Sequence, residues 1–153
     1  ANIRSKRTGL TALHMAVHNG NIQIVNILLT AGADVDRQST KGQTALHMAV
    51  RGKSVRITNL LLAAGADVNQ SSTKGTRPLH YAVQKRNTRM LETLLVSKYG
   101  ADVDAKTAQG TTPLIDAAKI GFMDGINVLL RHGANVDRMD KNGKPAADVI
   151  VPK

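Results

Sequence analysis

At 153 residues, with 21 Lys and Arg against 11 Asp and Glu for a net charge of +10 and no cysteine, the chain excludes a disulfide framework and a thiolate metal centre. No apolar run approaches the ~18 residues that a membrane span needs, and no signal peptide is evident, so an intracellular site, cytoplasmic or nuclear, is expected. The chain has no initiator Met, which makes a longer parent protein the expectation.

Ala1-Asn2-Ile3 has the wording of Ala134-Asn135-Val136 and stands at nearly the same distance before a glycine (Gly9, Gly143). The chain is therefore expected to begin inside a repeated unit, with 1–5 the tail of a preceding one. Thr11 precedes an apolar helical pattern, Leu13, Ala16 and Val17, and its hydroxyl suits the orphan amides of a helix start. Gly20 breaks this helix. Ile22, Ile24, Val25, Leu28 and Leu29 then follow the i, i+3, i+4 spacing of an amphipathic helix that stops at Gly32, a natural left-handed residue. The polar, turn-rich stretch from Ala33 to Gly42 is too short for another helix. The same order then recurs, giving units over 6–38, 39–71, 72–106 and 107–139, with 140–153 a partial or capping fifth. Two short antiparallel helices of about nine residues each fall below the ~12 to 15 at which isolated helices become marginal, so each unit needs its neighbours.

Departures from the first unit occur where the order recurs. Pro78 and Pro113 take the first helical turn, which proline tolerates. In unit three Arg77 replaces the capping Thr, and Arg86 stands at the inter-helix glycine position, so Asn87 is expected to make the left-handed turn. Gly52 arrives one residue earlier than Gly20. Val96-Ser97-Lys98-Tyr99, which carries unit three's two extra residues, is expected to lengthen its second helix. Gly125 falls inside the second helix of unit four at a cost of roughly 1 kcal/mol relative to Ala, making that unit the first expected to fray.

The recurrence is close to literal. Thr11-Ala12-Leu13-His14-Met15-Ala16 returns as Thr44-Ala45-Leu46-His47-Met48-Ala49, as Arg77-Pro78-Leu79-His80-Tyr81-Ala82 and as Thr112-Pro113-Leu114-Ile115-Asp116-Ala117. The leading leucines lie 33, 33 and 35 residues apart, and each phrase is answered by a Leu-Leu pair and by Gly-Ala-Asp/Asn-Val at Gly32, Gly65, Gly100 and Gly133. This wording and period resemble the ankyrin repeat over nearly the whole chain. The resemblance implies an all-α solenoid of stacked antiparallel helix pairs, with the inter-unit segments projecting as β-hairpin fingers beside the inner helices. It also makes framework of six of the eleven acids, Asp34, Asp36, Asp67, Asp102, Asp104 and Asp137.

Little chemistry is available to such a chain. His14, His47 and His80 occupy one position in successive units, and helices 8 to 10 Å apart cannot bring them to one ion with ligand distances near ~2 Å. The resemblance makes them the histidines that bond the loops together. His14 and His18 are an i, i+4 pair, but neither the Glu of a His-Glu-x-x-His motif nor a third ligand accompanies them. Asp116 and Asp124 lack a pocket in the stacking picture. No catalytic residue, metal or cofactor is assigned, and the chain is not expected to be an enzyme.

Placing the family's variable positions on this chain gives a candidate partner-binding set. The fingertips contribute Arg7, Lys41, Lys74 and Lys141, and the residues after the finger glycines are Leu10, Gln43, Thr76, Thr111 and Lys144. Late inner-helix positions add His18, Arg51, Gln84, Lys85, Lys119 and Ile120. A basic stripe results, suited to an acidic or mixed acidic and apolar segment of another protein. The bland alternative is a solvated face that keeps a tiled, monomeric protein in solution. Charge-driven binding of nucleic acid or an anionic membrane surface is the competing function, with Arg4-Ser5-Lys6-Arg7 as a weak basic cluster. Only Tyr81, Tyr99 and Phe122 are aromatic, which is poor material for base stacking.

Overall fold

The computed structural model describes residues 3–150; the resemblance of Ala1-Asn2 to a repeat tail falls outside them. The helix starts are set locally. The Thr11 hydroxyl accepts the His14 amide while the Thr11 amide donates to His14 Nδ1 at 3.1 Å, a capping box in which imidazole takes the place usually held by Glu or Gln. Thr44 and His47 repeat it; at Arg77 only the imidazole half remains, from the Arg77 amide to His80 Nδ1, and at Thr112 only the hydroxyl half, from the Ile115 amide. These caps start the inner helices α1 (Ala12–His18), α3 (Ala45–Arg51), α5 (Pro78–Gln84) and α7 (Pro113–Lys119). The outer helices are α2 (Ile22–Thr30), α4 (Val55–Ala63), α6 (Thr88–Leu94) and α8 (Met123–Arg131), and α9 (Ala146–Ile150) opens the fifth unit.

Each inner helix packs on its own outer partner and on the next inner helix, and the outer helices stack likewise, so the array has two layers. The leading leucines Leu13, Leu46, Leu79 and Leu114 and the answering Leu61, Leu94 and Leu129 are buried between them. Among the described residues no helix is long and apolar enough to cross a membrane.

The fingers are tight turns rather than strand pairs. In the second, the Ser39 amide reaches the Gln43 carbonyl and the Gly42 amide the Ser39 carbonyl, both at 2.9 Å, and Ser72–Thr76 and Thr107–Thr111 close the next two. Arms that short leave no room for a ladder, and the described residues contain isolated bridges only, Arg4 with Thr11 and Met139 with Pro145. Neighbouring fingertips are nonetheless joined, by Thr40 N–H to the Thr8 carbonyl, Thr73 to Lys41 and Ala108 to Lys74, at 3.0 to 3.1 Å. Asp and Asn side chains of the repeated phrase make a second line of joints: Asp36 accepts the Asp67 amide, Asn69 the Asp102 amide and Asp104 the Asn135 amide, at 2.8 to 2.9 Å.

Two further expectations are corrected. Arg86, not Asn87, takes the left-handed conformation (φ 51°), and Lys53 does so in unit two (φ 61°) while Gly52 sits at an ordinary φ of −77°. The left-handed residue is whichever immediately precedes the outer-helix cap; Asn21, Ser54 and Asn87 fill that cap and accept the amides of Ile24, Ile57 and Met90. Nor does Val96–Tyr99 lengthen α6, which ends at Leu94; Ser97–Tyr99 form a single 3₁₀ turn closed by Gly100. Leu94 and Leu95 must stay buried in register with Leu61 and Leu62, and Asn69 Nδ2 holds the Gly100 carbonyl at 2.8 Å, so the two extra residues loop out. Gly125 has a packing reason: the Phe122 ring occupies the space that a Cβ would take.

Among the described residues the leading face of unit one is more exposed than its counterparts. Ile24 is 45% exposed where its counterpart Ile57 is 1% exposed, and Ala12 is exposed where Ala45 is buried. The amides of α2 are therefore expected to exchange with solvent faster than those of α4, a helix of the same length, because local opening is easier where apolar contacts are fewer. Equal protection in a hydrogen-exchange experiment would remove the link between cover and local stability.

Candidate functional site

The imidazoles lock the fingers onto the inner helices. With Nδ1 occupied as acceptor from a backbone amide, Nε2 carries the proton and donates to the next finger: His14 to the Gln43 carbonyl (3.0 Å), His47 to Thr76 (3.1 Å) and His80 to Ala105 (3.0 Å). Burial outweighs these bonds and lowers all three pKa values, that of His47 to about 4, so the rings are neutral near pH 7. His14 therefore has no nitrogen free for a metal, and no group of three or more His, Cys, Asp or Glu able to hold an ion occurs among the described residues.

Fingers and inner helices enclose three successive recesses. The first, about 610 Å³, lies between units one and two and gathers the expected Arg7, Leu10, His18, Lys41 and Gln43. The second, about 470 Å³, lies one unit on and is lined by Lys41, Gln43, Arg51, Lys74, Gln84 and Lys85. Thr76, Gln84, Thr111, Lys119 and Ile120 line the third, about 410 Å³. Lys141 and Lys144 are exposed on the fifth finger.

Within this set the side chains differ in freedom. Thr76 is 9% exposed, and its carbonyl is committed to His47, so it offers the groove only an edge. Lys119 pairs with Asp140 at 3.4 Å, and the buried Asp140 carboxylate also accepts the Lys144 and Asn142 amides; the Lys144 amide is the main cause of its lowered pKa. The Ile120 carbonyl accepts the Arg86 guanidinium, which ties unit three to unit four. By contrast Lys41, Lys74, Lys85 and Arg51 form no ion pair with any described residue.

Sequence reasoning missed Met15, Met48 and Tyr81, which follow the histidine position of their phrases and line the groove; it also expected no pocket at Asp116, the fourth residue of that row, which lines the third recess. Their signal was variability: Met, Met, Tyr and Asp stand beside residues that scarcely change. Tyr81 organises the second recess. Gln43 Nε2 donates to its hydroxyl (3.2 Å), Gln43 Oε1 accepts Arg51 Nη1 (3.1 Å), and the Arg51 guanidinium lies 5.6 Å from the ring centroid. Asp116, in the third recess, has its pKa raised by burial.

A family model described as ankyrin repeats in three copies matches residues 1–72 and again 52–140, and the chain belongs to the ankyrin repeat family. It is also similar to the potassium channel AKT1 of Oryza sativa subsp. indica and of subsp. japonica, each 54% identical over 35 residues, 23% of this chain and 4% of the channel. The potassium channel AKT2/3 of Arabidopsis thaliana is 38% identical over 65 residues, 42% of this chain and 8% of the channel. The chain thus spans a small fraction of the curated relatives it matches. Ankyrin repeats are protein–protein interaction modules and are typically non-catalytic.

Proposed function

We propose that this array is a non-catalytic scaffold or adaptor module whose groove holds an acidic, partly apolar segment of another protein. The observation that carries the reading is the second recess, where Lys41, Arg51, Lys74 and Lys85 gather around Tyr81 with no carboxylate among the lining residues. Unpaired cations on one wall steer an anionic partner and discriminate against basic ones. Leu10, Met15 and Met48 beside them supply apolar anchorage. The aromatic residues speak against nucleic acid: Phe122 is buried, Tyr99 lies against Lys98, and Tyr81 is engaged by Gln43 and Arg51.

The test is charge reversal of Lys41, Lys74 and Lys85 to Glu. All three are exposed, so thermal stability should hardly change, whereas affinity for a captured acidic partner should fall on the order of a hundredfold at about 1 kcal/mol per reversed rim charge. Undiminished binding by the reversed protein would remove the basic groove as the site. Duplex and single-stranded DNA titrated at two salt concentrations address the competing reading, which salt-resistant, tight binding would favour.

A further inference from the structure

Building on that reading, we propose that the groove recognises a two-point signature: an apolar side chain in the first recess and a carboxylate about three residues away on the same extended segment, held at the Arg51–Tyr81 centre.

The two recesses differ in chemistry. The first is walled by Leu10, Met15 and Met48, with Met15 47% exposed, and presents apolar surface between Arg7 and Lys41. The second is a positioned anion site. Arg51 spends one N–H on Gln43 and is steadied by the Tyr81 ring, which leaves the rest of its donors in a fixed fork for a carboxylate. An arginine already held in place loses less rotamer freedom on binding than a free one. The Tyr81 hydroxyl accepts from Gln43, so its own proton remains to donate. Lys41, Lys74 and Lys85 add charge around this centre.

The third recess cannot take the acid equally well, because Asp116 lines it and its lysine, Lys119, is already paired with Asp140. The first recess also has cations, Arg7 and Lys41, but only the second has an arginine held in a fixed fork, which puts the anionic position in the middle of the groove. Its separation from the apolar recess is one unit, roughly 8 to 10 Å for packed helices, and an extended chain covers that in about three residues at ~3.3 Å each.

Ser/Gly peptides whose only charged side chain is one Glu, set one, three or six residues from a single Leu, provide the probes, titrated into protein labelled at its methionine methyls and tyrosine rings. At the three-residue spacing the Met15 and Met48 methyls and the Tyr81 ring are expected to shift together, with a Kd at least fivefold lower than at either other spacing, since one tether then satisfies both sites. Replacing Arg51 by Gln should abolish that preference while the Met methyls still respond to Leu. Equal affinity at all spacings, or no binding, overturns the two-point signature. A poly-Glu peptide separates this from the broader reading. If it binds the wild type and not the Lys41, Lys74 and Lys85 to Glu variant, the acidic-segment groove survives without the spacing rule; if it binds both alike, both readings fall.

Discussion

Acidification from pH 7 toward pH 4 is expected to destabilise the array steadily, before most carboxylates titrate. His14, His47 and His80 are buried, and each pKa is lowered first by loss of solvent, with the finger carbonyls restoring only part of it. A folded pKa below the unfolded value means that the unfolded chain binds the proton first. The stability these rings contribute is complete above about pH 6.5 and disappears as the pH falls through the folded value. For His47, lowered to about 4, this is on the order of 3 kcal/mol, a large part of a small domain's total. Protonation also puts a hydrogen on Nδ1, where each ring now accepts a backbone amide. Asp116, with its raised pKa, acts in the opposite direction, its contribution being present at low pH and lost as pH rises. Thermal unfolding at pH 7, 6 and 5 should show a falling Tm, and a His47→Asn variant should start lower and fall less steeply. A flat profile for the wild type would show that the imidazoles are not buried in their neutral form.

Gly42→Ala is expected to be far more damaging than Gly32→Ala, although both glycines are left-handed, at φ 70° and 84°. A Cβ at Gly32 meets nothing within 4 Å, so only the conformational cost of about 1–2 kcal/mol applies. At Gly42 the same atom would stand 2.6 Å from the Thr73 amide and 3.1 Å from the Ser72 carbonyl carbon. Both obstacles are backbone, and Thr73 is the residue that joins the next fingertip to Lys41. Alanine there must push two fingers apart, at an expected total of about 3–4 kcal/mol, with a loss of partner affinity that Gly32→Ala does not share. Denaturant midpoints of the two variants check this; equal losses would mean that the fingers yield without cost.

The helix pairs were legible in the sequence because nearly every unit repeats the same cap, the same leucines and the same terminal glycine, so local preference and packing agree. The residues that gather along the inner wall were approached through the fingertips, four of which carry a base, Arg7, Lys41, Lys74 and Lys141. Met15, Met48 and Tyr81 escaped because they sit within otherwise repeated helix phrases, and only the placement of the finger beside the helix shows that their side chains are not core. The Asn87 expectation followed conformational preference, but the cap has the stronger claim on a side chain that can accept Met90's amide, and Arg86 is left with the left-handed turn. The expected extension of α6 counted residues without asking what anchors the chain beyond them.

That looped-out segment has a practical use. The array absorbs two additional residues at Ser97–Tyr99 with both flanking helices still in step, and Lys98 is exposed and outside every recess of the groove. A dye, a surface tether or a short inserted tag placed there would report on binding from behind the working wall.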